Sequence, residues 1–239
     1  MRVSAIVLAG GRSSRFGGSK LQALVDGVPL LDLAIRAAAE VADEVIVVGP
    51  ASGGVALTDL DGLPAAVRVE LVRDPVAFGG PLIGLRSGLG AATGVLAIVV
   101  GGDMPRLEPA VLRAMLARLG DLEPAAPRSR NHAPIPGGRG ASAPESPGRP
   151  GTPGSPGLPD GVLLGQPGGA RPLPVALCVT EARRAVEAAI ASEETSLRAA
   201  LARLNVAEIP EDEWGRLDPA GGSLLDVDTQ ADLEAARRL

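Results

Sequence analysis

The stretch Leu8-Ala9-Gly10-Gly11-Arg12-Ser13-Ser14-Arg15-Phe16-Gly17-Gly18-Ser19-Lys20 concentrates four glycines, two arginines and a lysine directly after the apolar run VSAIVL. Glycines at the carboxyl end of a strand let backbone N–H groups come close to phosphate oxygens, and the Arg15 and Lys20 side chains can neutralise their charge. The chemistry this suggests is the cradling of a nucleoside triphosphate. A dinucleotide fingerprint needs Gly-x-Gly-x-x-Gly, and a P-loop ends in Gly-Lys-Ser/Thr; neither pattern is present. An ordinary βα turn has no use for so many cations and glycines in one stretch.

Two acidic clusters follow. Asp103 sits in Gly101-Gly102-Asp103-Met104-Pro105, just after a second apolar run, and a carboxylate at such a strand end is well placed to ligate Mg²⁺. Asp226-Val227-Asp228-Thr229 lies at the entrance to the C-terminal helical pattern, where Asp228 has a strong alternative reading as a helix N-cap. A further stretch combines Arg73-Asp74-Pro75 with Gly80-Pro81-Leu82-Ile83-Gly84-Leu85-Arg86-Ser87-Gly88-Leu89. By physics alone its glycines could serve only close helix packing.

The loop from Leu8 to Lys20 resembles the signature of the nucleotidyltransferase superfamily that contains molybdenum cofactor guanylyltransferases, related cytidylyltransferases and sugar-nucleotide pyrophosphorylases. The resemblance implies nucleotide binding by Leu8, Ala9, Gly10, Gly11, Lys20, Asp74 and Asp103, and catalytic roles for Lys20, Arg15 and Asp103. It also implies Mg²⁺ as cofactor on Asp103 and Asp228, with Asp226 the alternative to Asp228 as second ligand. The Gly-Pro-Leu-x-Gly-Leu-x-x-Gly-Leu pattern is similar to guanylyltransferases specifically, and points to guanine. One residue, Ser19, separates Gly18 from Lys20 where many guanylyltransferases have two ending in Asp, a departure that bears on the reach of Lys20. The activity implied is transfer of GMP from GTP to the terminal phosphate of molybdenum-molybdopterin, with release of pyrophosphate. Alternatives are a cytidylyltransferase or other nucleotidyltransferase of the same fold with a different acceptor, and a non-catalytic nucleotide-binding module. The resemblance extends over Val3 to Leu119 and more loosely over Leu163 to Leu239.

These residues need strand ends to hold them. Val3 to Leu8, Glu44 to Val48, Val67 to Val72 and Val95 to Val100 are short β-branched-rich runs bounded by Gly, Pro or Asp. Helical patterns alternate with them at Pro29 to Val41, Pro81 to Ala92 and Pro109 to Leu119, so crossovers and a mainly parallel sheet follow. Together with the resemblance this predicts an α/β chain, a three-layer α/β/α sandwich of the Rossmann-like nucleotidyltransferase kind. Later elements are expected at Gly161 to Leu164, the apolar run Pro174 to Val179, helices at Glu181 to Ala191 and Thr195 to Leu204, and a last strand at Ser223 to Val227. Thr229 and Asp232 nearly match a capping box for the final helix.

From Pro124 to Asp160 the texture changes: ten of the 22 prolines and seven glycines fall in this stretch, with almost no large apolar side chains. It cannot bury enough surface to fold, and reads as a disordered insertion into a single domain spanning residues 1–239. The chain of 239 residues is 46% hydrophobic but 1% aromatic, so its core must be Ala, Val, Leu and Ile. Its net charge of −5 argues against a nucleic-acid partner. Cys178 stands alone, which excludes an intrachain disulfide and fits a reducing cytoplasm; on the resemblance it is an apolar strand residue. Val3 to Ala9 is too short for a secretory core, and no run suits a membrane span. His132 falls in the insertion and Trp214 reads as packing a late loop. A monomer or weak homo-oligomer is compatible with these features.

Overall fold

The computed structural model describes residues 1–10, 16, 20–50, 57, 63–74, 80–120 and 158–239. Nearly all of the expected insertion, with His132, lies outside them, as do Gly11 and Arg15. The elements in chain order are β1 (Val3–Leu8), β2 (Leu24–Val25), β3 (Val28–Pro29), α1 (Leu30–Ala39), β4 (Glu44–Gly49), β5 (Arg68–Arg73), α2 (Pro81–Ala91), β6 (Leu96–Gly101) and α3 (Pro109–Gly120). After the undescribed stretch come β7 (Gly161–Leu164), β8 (Val175–Cys178), α4 (Val179–Ala191), α5 (Leu197–Leu201), β9 (Val206–Ile209), α6 (Glu211–Trp214) and α7 (Gln230–Arg238). The first expected strand coincides with β1, and the other expected strands and helices up to α3 differ from the observed ones by no more than two residues at their ends.

Alternation along the strands builds the layers. Ala5 and Val7 of β1 face one side with Val45, Val47, Ile98 and Val100, and α1 and α3 cover them. Ile6 faces the other with Ile46, Val48, Ala97 and Val99, beneath Leu82, Leu85 and Leu89 of α2 and Val186 of α4. A strand buried on both faces reads as a continuous apolar run because helices cover both sides of the sheet. The result is the expected three-layer α/β/α sandwich.

Seven strands run in the order β5-β4-β1-β6-β8-β7-β9. All their described pairings are parallel except those of β8, which is antiparallel to β6 and to β7. Leu8 at the end of β1 is level with Val48 of β4 and Gly101 of β6, so the segments leaving these three strands emerge side by side.

The structure corrects the last expected strand. Residues 223–227 do not enter a ladder; Gly222–Leu224 form a 3₁₀ turn after Gly221, whose φ of 70° is left-handed. Side-chain bonds replace sheet pairing here: Ser223 N–H donates to Asp218 Oδ2 at 2.7 Å, and Ser223 Oγ accepts from Glu108 N–H at 3.0 Å. Trp214 ends α6 and is buried, its Nε1 donating to the carbonyl of Gly165 in the loop after β7 at 2.8 Å. Asp160, the last residue of the expected insertion, is already tied into the fold: its carboxylate accepts from Asn205 N–H and its carbonyl from Cys178 N–H. β9, α6 and the β2–β3 hairpin had no counterpart among the expectations. The hairpin turns on Asp26-Gly27, both at positive φ, a pair that by itself signals a tight two-residue turn.

Candidate nucleotide site

Each segment of the site is set by a main-chain bond to its neighbour. Ala9 N–H donates to the Val48 carbonyl at 2.9 Å, and Gly102 N–H to the Leu8 carbonyl at 3.0 Å. The chain after β1 and the chain after β6 are thereby stitched together. Gly101 and Gly102 are glycines for steric reasons. A Cβ on Gly101 would stand 2.4 Å from Asp103 Oδ1, and one on Gly102 would stand 2.9 Å from Leu31 Cδ1. Gly10, by contrast, has no described atom within 4 Å of where a Cβ would lie. Its side faces open space, as suits a backbone that a ligand approaches.

Asp228 arrives from the other end of the chain. Val227 is fully buried with Val25, Leu30, Leu233 and Ala236, and its N–H donates to the Asp103 carbonyl at 2.9 Å. Thr229, not Asp228, caps α7, in a full capping box with Asp232. Asp228 N–H donates to Asp232 Oδ2 at 3.1 Å, so the cap holds Asp228 in place while leaving its carboxylate uncommitted to the helix.

Lys20 begins a short 3₁₀ turn, Lys20–Gln22, and closes the site. Its Nζ donates to Asp103 Oδ2 at 2.7 Å and to Asp228 Oδ1 at 2.7 Å. The Lys20 side chain is 13% exposed, against 26% for Asp103 and 50% for Asp228, so it is the most enclosed of the three. Burial lowers its pKa, but the hydrogen bonds and charges of Asp103 and Asp228 more than offset this, leaving it raised above 10.5. Lys20 is therefore a cation at neutral pH.

The remaining expected residues are placed as follows. Leu8 and Ala9 sit at the end of β1 and its exit, with Ala9 buried. Asp74 follows β5, two strands from β1 but at the same end of the sheet, and its N–H donates to the Gly49 carbonyl at 2.9 Å. Asp226 does not join Asp228; its carboxylate pairs with the Arg171 guanidinium, which also reaches the Leu224 carbonyl. Gly88 of the guanylyltransferase-like pattern has a packing role: a Cβ there would meet Ile6 Cγ2 at 2.5 Å, so α2 lies directly on β1.

Two carboxylates that face one cation from different segments fit a divalent ion, which Mg²⁺ sites commonly hold through one or two carboxylates plus substrate phosphates. Among the described residues no group of three or more His, Cys, Asp or Glu could hold a metal. Asp103 and Asp228 thus suit an ion that completes its shell with ligand oxygens and water.

A family model described as the MobA-like NTP transferase domain matches residues 5–209. A probable molybdenum cofactor guanylyltransferase of Nostoc sp. is 38% identical over 120 residues, covering 49% of this chain and 53% of the relative. Another, of Pelotomaculum thermopropionicum, is 34% identical over 132 residues, covering 55% and 60%. In these two alignments the chain spans only a little over half of each relative's length. A third, of Chloroflexus aggregans, is 28% identical over 237 residues, covering 98% of this chain and 93% of the relative. Among solved structures, molybdopterin-guanine dinucleotide biosynthesis protein A of Archaeoglobus fulgidus shares the fold with a TM-score of 0.66 at 18% identity, over 98% of this chain and 97% of that one. The 2-C-methyl-D-erythritol 4-phosphate cytidylyltransferase of Thermus thermophilus does so with a TM-score of 0.56 at 18% identity, over 100% and 98%.

Proposed function

The chain belongs to the MobA-like NTP transferase family, and we propose that it is a guanylyltransferase that moves GMP from GTP to the terminal phosphate of molybdenum-molybdopterin. The observation that carries this is the meeting of Lys20 with Asp103 and Asp228 at the carboxyl end of β1 and β6. The guanylyltransferase names of the curated relatives supply the base and the acceptor. The chain works as one domain, with residues 124–160 inserted between α3 and β7.

GTP lies across the strand ends, its phosphates over the backbone from Leu8 to Gly11, with Asp74 beside the nucleotide. Asp103 and Asp228 would hold Mg²⁺, which when bound would neutralise phosphate charge and favour displacement at phosphorus. An oxygen of the acceptor's phosphate attacks the α-phosphorus; a new P–O–P bridge forms, the α–β bond breaks and pyrophosphate leaves with the bonding electrons. A phosphate monoester is already largely ionised at neutral pH, so no side chain has to remove a proton. Lys20, held protonated, and Arg15 supply fixed positive charge to the developing pyrophosphate.

Asp103→Ala tests the reading through Mg²⁺-dependent GMP transfer to molybdopterin: activity is expected to be lost, and full activity in the variant sinks the assignment. Thermal shifts with GTP, CTP, ATP and UTP, each with Mg²⁺, decide the base; the largest is expected for GTP.

A further inference from the structure

We propose that Lys20 is an internal cation that occupies the divalent-metal position in the nucleotide-free protein, so that metal is taken up with the nucleoside triphosphate and not before it. This rests on the reading of Asp103 and Asp228 as the metal-holding pair.

The geometry makes Lys20 and a metal ion exclusive. Asp103 and Asp228, 83 and 208 residues along the chain from Lys20, each place an oxygen 2.7 Å from the same Nζ. A Mg²⁺ ion binding both oxygens at about 2.1 Å would have to lie in or against the space the ammonium fills, within contact distance of a like charge. Free metal must therefore first break two charge-assisted hydrogen bonds and strand the charge of a lysine whose side chain is only 13% exposed. Lys20 then needs a new anionic partner.

A triphosphate provides that partner. Lys20 ends the glycine-rich stretch and opens the 3₁₀ turn after it, so its flexible stem starts beside the loop read as the phosphate cradle. When metal and triphosphate arrive together, Lys20 exchanges carboxylate oxygens for phosphate oxygens and the metal takes its place between Asp103 and Asp228. At either stage Lys20 and both carboxylates each face an opposite charge. Binding free energies are reciprocal, so nucleotide must raise metal affinity by the same factor as metal raises nucleotide affinity. Lys20 is the residue that sets this factor.

The test is titration of the full-length protein with Mn²⁺ alone, followed by the paramagnetic resonance of free Mn²⁺ and by melting temperature. Wild type is expected to bind weakly, and Lys20→Met to bind at least about tenfold more tightly and to gain thermal stability from Mn²⁺ without nucleotide. Lys20→Gln, which keeps a polar head without the charge, is expected to behave likewise, and circular dichroism establishes that each variant is folded. Adding Asp103→Asn to Lys20→Met is expected to abolish the gain. Equal Mn²⁺ affinity in wild type and both Lys20 variants overturns the exchange, and so does a gain that survives Asp103→Asn. The metal reading is judged apart from this, by whether Asp103→Asn alone lowers Mn²⁺-supported GMP transfer.

Discussion

The backbone N–H of Val227 donates to the carbonyl of Asp103 at 2.9 Å, so the two acidic segments that converge on Lys20 are joined through main chain as well as through charge. A bond of this kind holds the backbones that carry Asp103 and Asp228 beside each other independently of what lies between their carboxylates. It also ties the C-terminal segment, which lies beyond the family match ending at residue 209, into the centre of the site.

The two carboxylates should not be equivalent. Asp103 is the more enclosed, and its position is set by Gly101 and Gly102, whereas Asp228 is half exposed. Asp103→Asn is expected to lower GMP transfer by about a hundredfold, and Asp228→Asn by about tenfold, measured as kcat/KM at saturating Mg²⁺. Equal losses would contradict the inequality drawn from exposure.

Two glycine substitutions should separate site from scaffold. In Gly101→Ala the new methyl collides with Asp103 Oδ1, so activity should drop by about a hundredfold through misplacement of the carboxylate. In Gly88→Ala the methyl collides with Ile6 in the core, which should cost about 1–3 kcal/mol of stability. Denaturant melts and initial rates on both proteins distinguish the two; a purely structural effect in Gly101→Ala would refute the steric account of the site.

Acid should destabilise the fold at the opposite ends of the strands. Glu44 is 1% exposed, and its Oε1 accepts from Ser4 Oγ at 2.6 Å and from Thr93 N–H and Oγ1 at 2.8 Å. Burial raises its pKa, but the bonds from Ser4 and Thr93 and the charge of Arg2 outweigh this and hold it below 4.5. A depressed folded-state pKa means that the stabilisation is complete above the ordinary value of 4.5 and is lost as pH falls through the lower folded value. Glu44→Ala should cost roughly 1–3 kcal/mol near pH 7 by leaving buried donors unpaired, with the deficit shrinking in acid. A deficit that does not change between pH 7 and pH 3 would argue against this role.

Cys178 should be a sluggish nucleophile. Burial, followed by the nearby carboxylates of Glu181 and Asp160, pushes its thiol up to about 11. Alkylation by iodoacetamide at pH 8 is expected to run far slower than for a free thiol and to accelerate as pH approaches that value. Mass spectrometry of the modified chain follows the reaction, and rapid labelling at pH 8 would contradict the raised thiol.

What the order of residues determined by itself was local. The β-branched runs at Val3 to Leu8 and Glu44 to Val48 read directly as strands, because a strand covered by helices on both faces needs an uninterrupted apolar sequence. The Asp103 turn and the Thr229–Asp232 cap were legible because each is complete within a few residues. Tertiary structure decided whatever depended on partners far away in sequence. It turned β8 antiparallel, kept residues 223–227 out of the sheet, and sent Asp226 to Arg171 while Asp228 went to Lys20. Asp226 and Asp228 stand two residues apart and carry the same charge, so nothing local distinguishes them. Only the buried Val227 between them, bonded to Asp103 and packed under α7, directs one carboxylate into the site and the other to its edge.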